Sequence, residues 1–324
     1  MLNPCLTGTL LVSICAVGCT VPTGRSVTEC IAPAAPGGGW DLTCRSAGRV
    51  LSEMGLVNGT VQVTNIPGAG GGIALAHTVT QRGRDANLLV AASPSITLGL
   101  SQKRFGNLTE RSVRWVAAIG SEAGAFVVRS DAPWETLTDL MEHWQDDPGA
   151  ITVSGGSAVA SQDHMKVLLV AREAGIPPRA VRYIPFDGGG EALTAMLGGF
   201  VDLFSGEVSE ITGHLEAGVV RVIAVLSPER LGGDLAHIPT ARESGYDVEW
   251  VTWRGFYAPA ETADTTYERW VDTLTRLESS QEWAAVRITN RLEPFFLAGE
   301  DFTRFIDRQV AEFRSISREI GLIP

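Results

Sequence analysis

Glycine clusters at the starts of predicted helices are the residues of this chain best suited to hold a ligand. The first cluster follows the apolar run Cys30 to Ala32, typical of a buried strand, and precedes a helical pattern from Leu42 to Met54. Glycines let a ligand approach the main chain, and a helix start offers unpaired N–H groups at the positive end of its dipole. The turn is therefore a candidate anion site, although a tight strand-to-helix connection would need the same glycines for its backbone angles alone. Its residues are Pro36, Gly37, Gly38, Gly39, Trp40 and Asp41.

The same unit of strand, small-residue turn and helix recurs along the chain. The second such turn lies at 68–72, after the strand that ends at Asn65. Further turns lie at 154–157, 187–190 and 205–210. Strands that alternate with helices predict an α/β fold with mainly parallel sheets, and the turns at the strand ends then line a crevice. The second cluster does not complete a dinucleotide fingerprint because Ile73 replaces the third glycine. No cofactor is predicted.

Enzymatic alternatives have weaker support in the sequence. Ser157, Asp163 and His164 are candidates for nucleophilic chemistry, but Val159 breaks the G-x-S-x-G pattern of a nucleophile elbow. No Gly-Lys-Ser/Thr follows any glycine cluster, so a Walker-type phosphate loop is not predicted. The carboxylates at 207 and 210 stand about one helical turn apart, which suits either acid–base chemistry or two acidic residues at a helix start. The histidines are spread singly and predict no metal site.

Length and charge narrow the class of protein further. A chain of 324 residues is natural for two lobes, and its 44% hydrophobic residues are enough for a substantial core. A net charge of −11 and a pI near 5.0 argue against a nucleic-acid partner, which requires a basic surface. A small anionic ligand remains compatible with this charge, because N–H groups in a cleft act locally while distant charges are screened.

The N-terminal 25 residues are predicted to be an export signal. The small and apolar run from Leu6 to Val21 is too short and interrupted for a membrane span, although no basic residue precedes Arg25. The segment 16–19 ends in Cys19 and loosely matches a lipidation site. Two outcomes stay open: lipidation at Cys19, giving a cell-surface lipoprotein, or simple cleavage between Val21 and Ser26, giving a periplasmic protein.

Cys30 and Cys44 are the two cysteines of the predicted mature chain. In an exported protein a pair of cysteines favours one disulfide, which here would join the first strand to the first turn of the next helix. Two buried free thiols are the alternative, since a bridge requires Cα atoms within about 7 Å.

The glycine clusters at opposed helix starts predict a carboxylate-binding site between two lobes. Backbone N–H groups, joined by the side chains of Asn65, Ser157 and Ser161 and by water, would satisfy the ligand oxygens without a buried arginine. Strands are expected at 113–119 and 126–129, the second of them crossing into the second lobe, and the chain returns at 248–259. Three C-terminal helices are expected at 266–277, 281–289 and 301–319.

Four segments together resemble the extracytoplasmic substrate-binding receptors of tripartite tricarboxylate transporters, the Bug family. They are Glu29 to Asp41, Asn65 to Gly71, Phe186 to Leu193 and Trp253 to Phe256. The resemblance spans about residues 27–322. It implies a two-lobed periplasmic-binding-protein fold of type 2, with each lobe a mainly parallel sheet flanked by helices and a two-strand hinge. It places ligand contacts at Gly37 to Asp41 and at Ser157, Asp187, Gly188 and Gly189.

On this basis the chain is expected to be a receptor and not an enzyme. It would deliver a di- or tricarboxylate such as citrate to one large and one small membrane subunit, and it would act as a monomer. Residues 26–125 and 254–324 are expected to form lobe 1 and residues 126–253 lobe 2, with hinges near 122–130 and 248–258. A carboxylate receptor for a sensor kinase and an α/β hydrolase are the alternatives.

Overall fold

The structure is a computed structural model that describes residues 27–186 and 188–324. The predicted signal segment, Cys19 and the predicted ligand residue Asp187 lie outside the described residues. Cys30 and Cys44 are joined by a disulfide, with their Cα atoms 5.7 Å apart. Within the described part of the chain, no helix combines the length and hydropathy required to cross a membrane.

One twisted set of strands runs through the molecule in the order β2-β1-β3-β9-β4-β7-β5-β6, and β10 and β8 also pair with β4. The strands β1, β2 and β3 are parallel to one another, as are β5, β6 and β7, whereas β4 and β9 are antiparallel to their neighbours. The strands are β1 (Glu29–Ala32), β2 (Gln62–Asn65), β3 (Leu88–Ala92), β4 (Val113–Arg129), β5 (Thr152–Gly155), β6 (Arg182–Pro185), β7 (Leu203–Glu207), β8 (Val220–Val225), β9 (Val251–Pro259) and β10 (Glu293–Ala298).

The long strand β4 belongs to both halves of the molecule. Its residues 113–123 pair with β9, and 124–129 pair with β7 and β8. We call the half with β1–β3 and β10 the first lobe and the half with β5–β8 the second lobe. The expectation of separate strands at 113–119 and 126–129 was wrong, because the small residues between them are buried and stay in the ladder.

The helices cover both faces of the sheets. Most of the predicted ones are confirmed within a few residues, whereas α3 and the strand β10 were not predicted. The helices are α1 (Gly39–Glu53), α2 (Gly72–Gln81), α3 (Pro94–Ser101), α4 (Leu137–Asp146), α5 (Gln162–Glu173), α6 (Gly189–Leu197), α7 (Val208–Glu216), α8 (Asp264–Glu278), α9 (Gln281–Thr289) and α10 (Gly299–Glu319).

The two lobes contact each other beyond the connecting strands. The last helix, α10, packs on α3 and on the shared strand β4. Its Phe313 ring stacks on Trp250, which directly precedes β9, with 5.2 Å between the ring centroids. Phe313 and Leu98 of α3 belong to the same buried apolar cluster as the second-lobe helices α4 and α5. Apolar burial therefore holds the lobes in the arrangement seen here.

Candidate functional site

The open N–H groups near the first glycine cluster belong to the first turn of α1 and not to Gly37 and Gly38. Gly37 donates its N–H to Oδ2 of Asp41 at 2.9 Å, and Gly38 donates to the carbonyl of Ala35 at 3.1 Å. The N–H groups of Gly39, Trp40 and Asp41 form the first turn of α1, and the structure records no acceptor for them among the described residues. These three amides are the ones that can receive an anion.

Asp41 and Asn65 brace this turn. Asp41 is buried, and its carboxylate accepts from Nε of Arg45 and Nδ2 of Asn65, each at 2.9 Å, in addition to Gly37. Burial by itself would raise the pKa of Asp41, but these hydrogen bonds outweigh it and hold the pKa below its ordinary value. Asn65 Nδ2 also donates to the carbonyl of Ala34 at 2.9 Å. Both side chains were predicted to contact ligand, and here both are engaged in shaping the loop.

A buried arginine stands beside the start of α1. A methyl group placed on Gly39 would lie 2.6 Å from Nη2 of Arg254 and 2.8 Å from Nη1, so the guanidinium faces the first turn of the helix. Arg254 is 7% exposed, and its Nε donates to Oε1 of Glu122 at 2.6 Å. Neither terminal nitrogen has a recorded hydrogen bond to a described residue. A buried cation therefore lies beside the first turn of α1, which carries the open amides.

A network of charged side chains continues from Arg254 into the second lobe. Lys166 of α5 is fully enclosed, and its Nζ lies 2.8 Å from Oε1 of Glu207 and 2.9 Å from Oδ1 of Asp163. Burial alone would lower the pKa of Lys166, but these two carboxylates outweigh it and raise the pKa, so the lysine is charged. Thr252 of β9 donates to the same Glu207 oxygen at 2.8 Å. The network thus joins a connecting strand to the second lobe.

The start of α5 uses the predicted serines for internal contacts. Ser157 Oγ accepts the N–H of Asp163 at 3.2 Å, and the Ser157 carbonyl accepts from the Tyr183 hydroxyl at 2.6 Å. Ser161 is buried, and its hydroxyl lies 3.0 Å from that of Ser95 at the start of α3. The hydroxyl of Ser161 therefore joins the two lobes in this arrangement and is not open to a ligand.

Ser157 and His164, the candidates for nucleophilic chemistry in the hydrolase alternative, make other contacts. Nδ1 of His164 accepts the N–H of Ala160 at 3.0 Å, and its ring stacks on Tyr183 with 4.5 Å between centroids. Burial lowers the pKa of His164 to about 4, which keeps it neutral. Among the described residues no hydrogen bond joins Ser157 to His164, so the pair does not form the base–nucleophile contact of a triad.

The start of α6 forms the remaining part of the crevice. Gly188 precedes the helix with φ of 145°, a conformation that favours glycine, and Gly189 and Gly190 open the first turn. A side chain on Gly156 would collide with the main chain of Gly189, so the turns of β5 and β6 are packed against each other. A side chain on Gly189 would collide with Oε1 of Glu210. The predicted anion site of this lobe therefore has a carboxyl group of the protein beside it.

Sequence reasoning missed the charged residues Glu122, Lys166 and Arg254. Glu122 and Arg254 are lone charged residues in stretches that are otherwise apolar or small, and Lys166 directly precedes an apolar run. Such residues are buried only when they are paired. That signal indicates a buried ion pair but does not identify the partners.

Solved structures of other proteins have the same architecture. The structure aligns with one described as "R. palustris Rpa4515 with adipate", at a TM-score of 0.81 and 22% identity, covering 91% of this chain and 97% of the other. It also aligns with one described as "MatC (Rpa3494) from Rhodopseudomonas palustris with bound malate", at a TM-score of 0.75 and 19% identity, covering 90% and 98%. These likenesses confirm the two-lobed periplasmic-binding-protein fold.

Sequence comparison gives the family. A UPF0065 protein of Bordetella pertussis is 26% identical over 298 residues, which is 91% of this chain and 89% of that protein. The family model described as "Tripartite tricarboxylate transporter family receptor" matches residues 49–322. The family is one of solute-binding receptors and not an enzyme class. The chain belongs to the receptor family of tripartite tricarboxylate transporters.

Proposed function

We propose that this protein captures a di- or tricarboxylate of the citrate type between its lobes, without chemical turnover, and delivers it to the transporter. The observation that carries the proposal is the guanidinium of Arg254 beside Gly39. A carboxylate at the start of α1 would receive the amides of Gly39 and Trp40 and a charge-assisted hydrogen bond from Arg254. Enclosure between the lobes strengthens each of these hydrogen bonds.

The compartment, anchoring and partners are part of the same proposal. The first 25 residues direct export, so that the protein works outside the cytoplasm, in the periplasm or anchored through Cys19. It acts as a monomer that docks on one large and one small membrane subunit. Its lobes divide at 126 and 253, with the hinges at 122–130 and 248–258. The long strands β4 and β9, which are shared between the lobes, support this division.

A ligand screen tests the proposal. Purified protein is heated with citrate, tricarballylate, succinate, adipate, malate, aspartate, glutamate or terephthalate. A ligand at 100 times its Kd stabilises the folded state by about 2.7 kcal/mol, which raises Tm by several degrees. At the same ligand concentration Arg254→Gln should reduce the stabilisation to about 0.4–1.4 kcal/mol, whereas Arg49→Gln, which removes an exposed arginine of the same α1 helix, should keep the full shift. Absence of a shift with every acid contradicts the proposal.

Delivery and the absence of turnover have separate tests. Cells that carry the two membrane subunits should take up the labelled acid only when this receptor is present. Prolonged incubation of the purified protein with the bound acid should return the acid unchanged. Uptake that does not depend on the receptor, or formation of product, would contradict the corresponding part of the proposal.

A further inference from the structure

Glu210 lies beside the start of α6 in the second lobe. It lies in the first turn of α7, where its Oε2 accepts the N–H of Glu207 at 2.9 Å. Its Oε1 lies against Gly189, at the start of α6, and the side chain remains exposed to solvent. The amides of Gly189 and Gly190 have no recorded acceptor among the described residues. An open carboxyl oxygen thus lies next to the helix turn that carries the open amides.

The negative charges around Glu210 raise the free energy of placing a further anion, such as a ligand carboxylate, beside it. Asp163 of α5, Glu207 at the end of β7 and Glu122 of β4 are acidic, and Tyr183 of β6 is a further titratable neighbour. The cations are Lys166, already shared by Asp163 and Glu207, and Arg254, paired with Glu122. Oε2 of Glu207 is buried and lacks a hydrogen bond to any residue in the described ranges. This lobe therefore has an excess of carboxylates over cations that remain available.

Two carboxylates that share one site cannot both ionise freely. Many protein atoms surround Glu210 although its side chain reaches solvent, and this desolvation raises its pKa to about 8, with the charges of Asp163 and Glu207 adding to the effect. Protonation of Glu210 near neutral pH therefore costs little free energy. With Oε2 already accepting from Glu207, the free Oε1 is the oxygen that can hold the proton and donate it.

We propose that the second lobe binds a carboxylate of the ligand together with one proton, which Oε1 of Glu210 carries and donates to the ligand oxygen. The amides of Gly189 and Gly190 complete the site. The first lobe uses a permanent cation, Arg254, and the second lobe uses an acid that is neutral only when protonated. This inference rests on the proposed function, and it makes capture of the ligand dependent on pH through the second lobe alone.

Proton uptake is the direct measurement. The full chain is titrated calorimetrically with succinate, adipate and tricarballylate, between about pH 7 and 9.5, in buffers of different ionisation enthalpy. These acids are ionised throughout this range because carboxyl pKa values lie near 4 to 6. We expect uptake that approaches one proton per ligand above pH 8 and declines below it. The affinity should weaken about tenfold per pH unit above pH 8.

The variant Glu210→Gln tests the role of the proton while keeping the hydrogen bonds that Glu210 makes in the fold. The glutamine amide can donate from Nε2 while its oxygen accepts from Glu207, as protonated Glu210 would. The variant should bind the same acid without proton uptake and with an affinity that is constant between pH 7 and 9.5. Glu216→Gln, which removes an exposed charge from the far end of α7, should behave as the unmodified chain.

The outcomes are distinguishable. Binding by the unmodified chain without proton uptake overturns this inference and leaves the proposed function standing. Loss of binding in a folded Glu210→Gln, or an unchanged pH dependence in it, also overturns the inference. If no acid binds at any pH, the proposed function fails and this inference fails with it.

Discussion

Arg254 and Glu122 form a buried ion pair between the two strands that the lobes share. Arg254 Nε donates to Glu122 Oε1 at 2.6 Å, across neighbouring strands β9 and β4. Glu122 Oε2 also accepts from the hydroxyl of Ser209 on α7. The pair fixes the guanidinium with its terminal nitrogens toward Gly39, and it ties the first lobe's anion site to a second-lobe helix.

Replacing Arg254 should remove the charge from the anion site. Because hydrogen bonds to charged groups contribute about 1.5–3 kcal/mol, Arg254→Gln should weaken carboxylate binding by about 10- to 100-fold. Arg254→Lys should also be defective, since one ammonium group cannot reach Glu122 and the ligand in the planar geometry of a guanidinium. Calorimetric titration with the acid found in the screen measures both.

A double variant distinguishes binding from stability. Breaking a buried pair by removing one partner costs about 3–5 kcal/mol, so Arg254→Gln should also lower the free energy of unfolding in urea. Adding Glu122→Gln removes the uncompensated charge and should restore much of that stability but not the affinity. Recovery of normal binding in the double variant would contradict a ligand contact by Arg254.

Substitution of Gly39 by alanine tests whether ligand binding requires the open space beside Arg254. The added methyl of Gly39→Ala would meet the guanidinium at 2.6 Å and must displace it, while α1 itself accepts alanine readily. We expect a loss of affinity of at least about tenfold together with a lower Tm, because displacing the buried guanidinium also strains its pairing with Glu122. Gly213→Ala is the matched control because its methyl, on α7, meets no atom within 4 Å. Equal affinities in the two variants would show that the guanidinium does not need its position.

The sequence predicted the strand-to-helix turns because glycine clusters, apolar runs and helical periodicity are local. It missed α3 because this helix is buried on every side, so that Ile96, Leu98 and Leu100 alternate as they would in a strand. It missed β10 because Pro294 follows its first residue and indicates an edge or an end. The pairing of Glu122 with Arg254 joins positions 132 residues apart, and no local pattern encodes it.

The disulfide between Cys30 and Cys44 should contribute to stability more than to binding. It links β1 to α1 around the glycine turn with a sequence separation of 14, and closing a loop of that size stabilises the folded state by about 3 kcal/mol. Cys30→Ser with Cys44→Ser, or reduction, should lower the free energy of unfolding by about that amount. At low temperature the folded double variant should still bind its acid, because Asp41 and Asn65 hold the turn independently. Urea unfolding with and without reductant measures the first effect.

His164 should make the folded state sensitive to mild acid. Its pKa is lowered by burial to about 4, while the unfolded chain has an ordinary pKa of 6.5, so between these values the unfolded state binds the proton more readily. The free energy of unfolding should therefore be highest above pH 6.5 and fall by about 1.4 kcal/mol per pH unit as the pH decreases toward 4. His164→Asn supplies an oxygen in place of Nδ1 to accept the N–H of Ala160, and it does not titrate. Urea unfolding from pH 7 to 4 should show the stability of the unmodified protein falling more steeply than that of this variant, by about 3 kcal/mol in total. Parallel curves would mean that His164 takes up its proton in the folded state without penalty, and the buried ring stacked on Tyr183 would not have the environment described here.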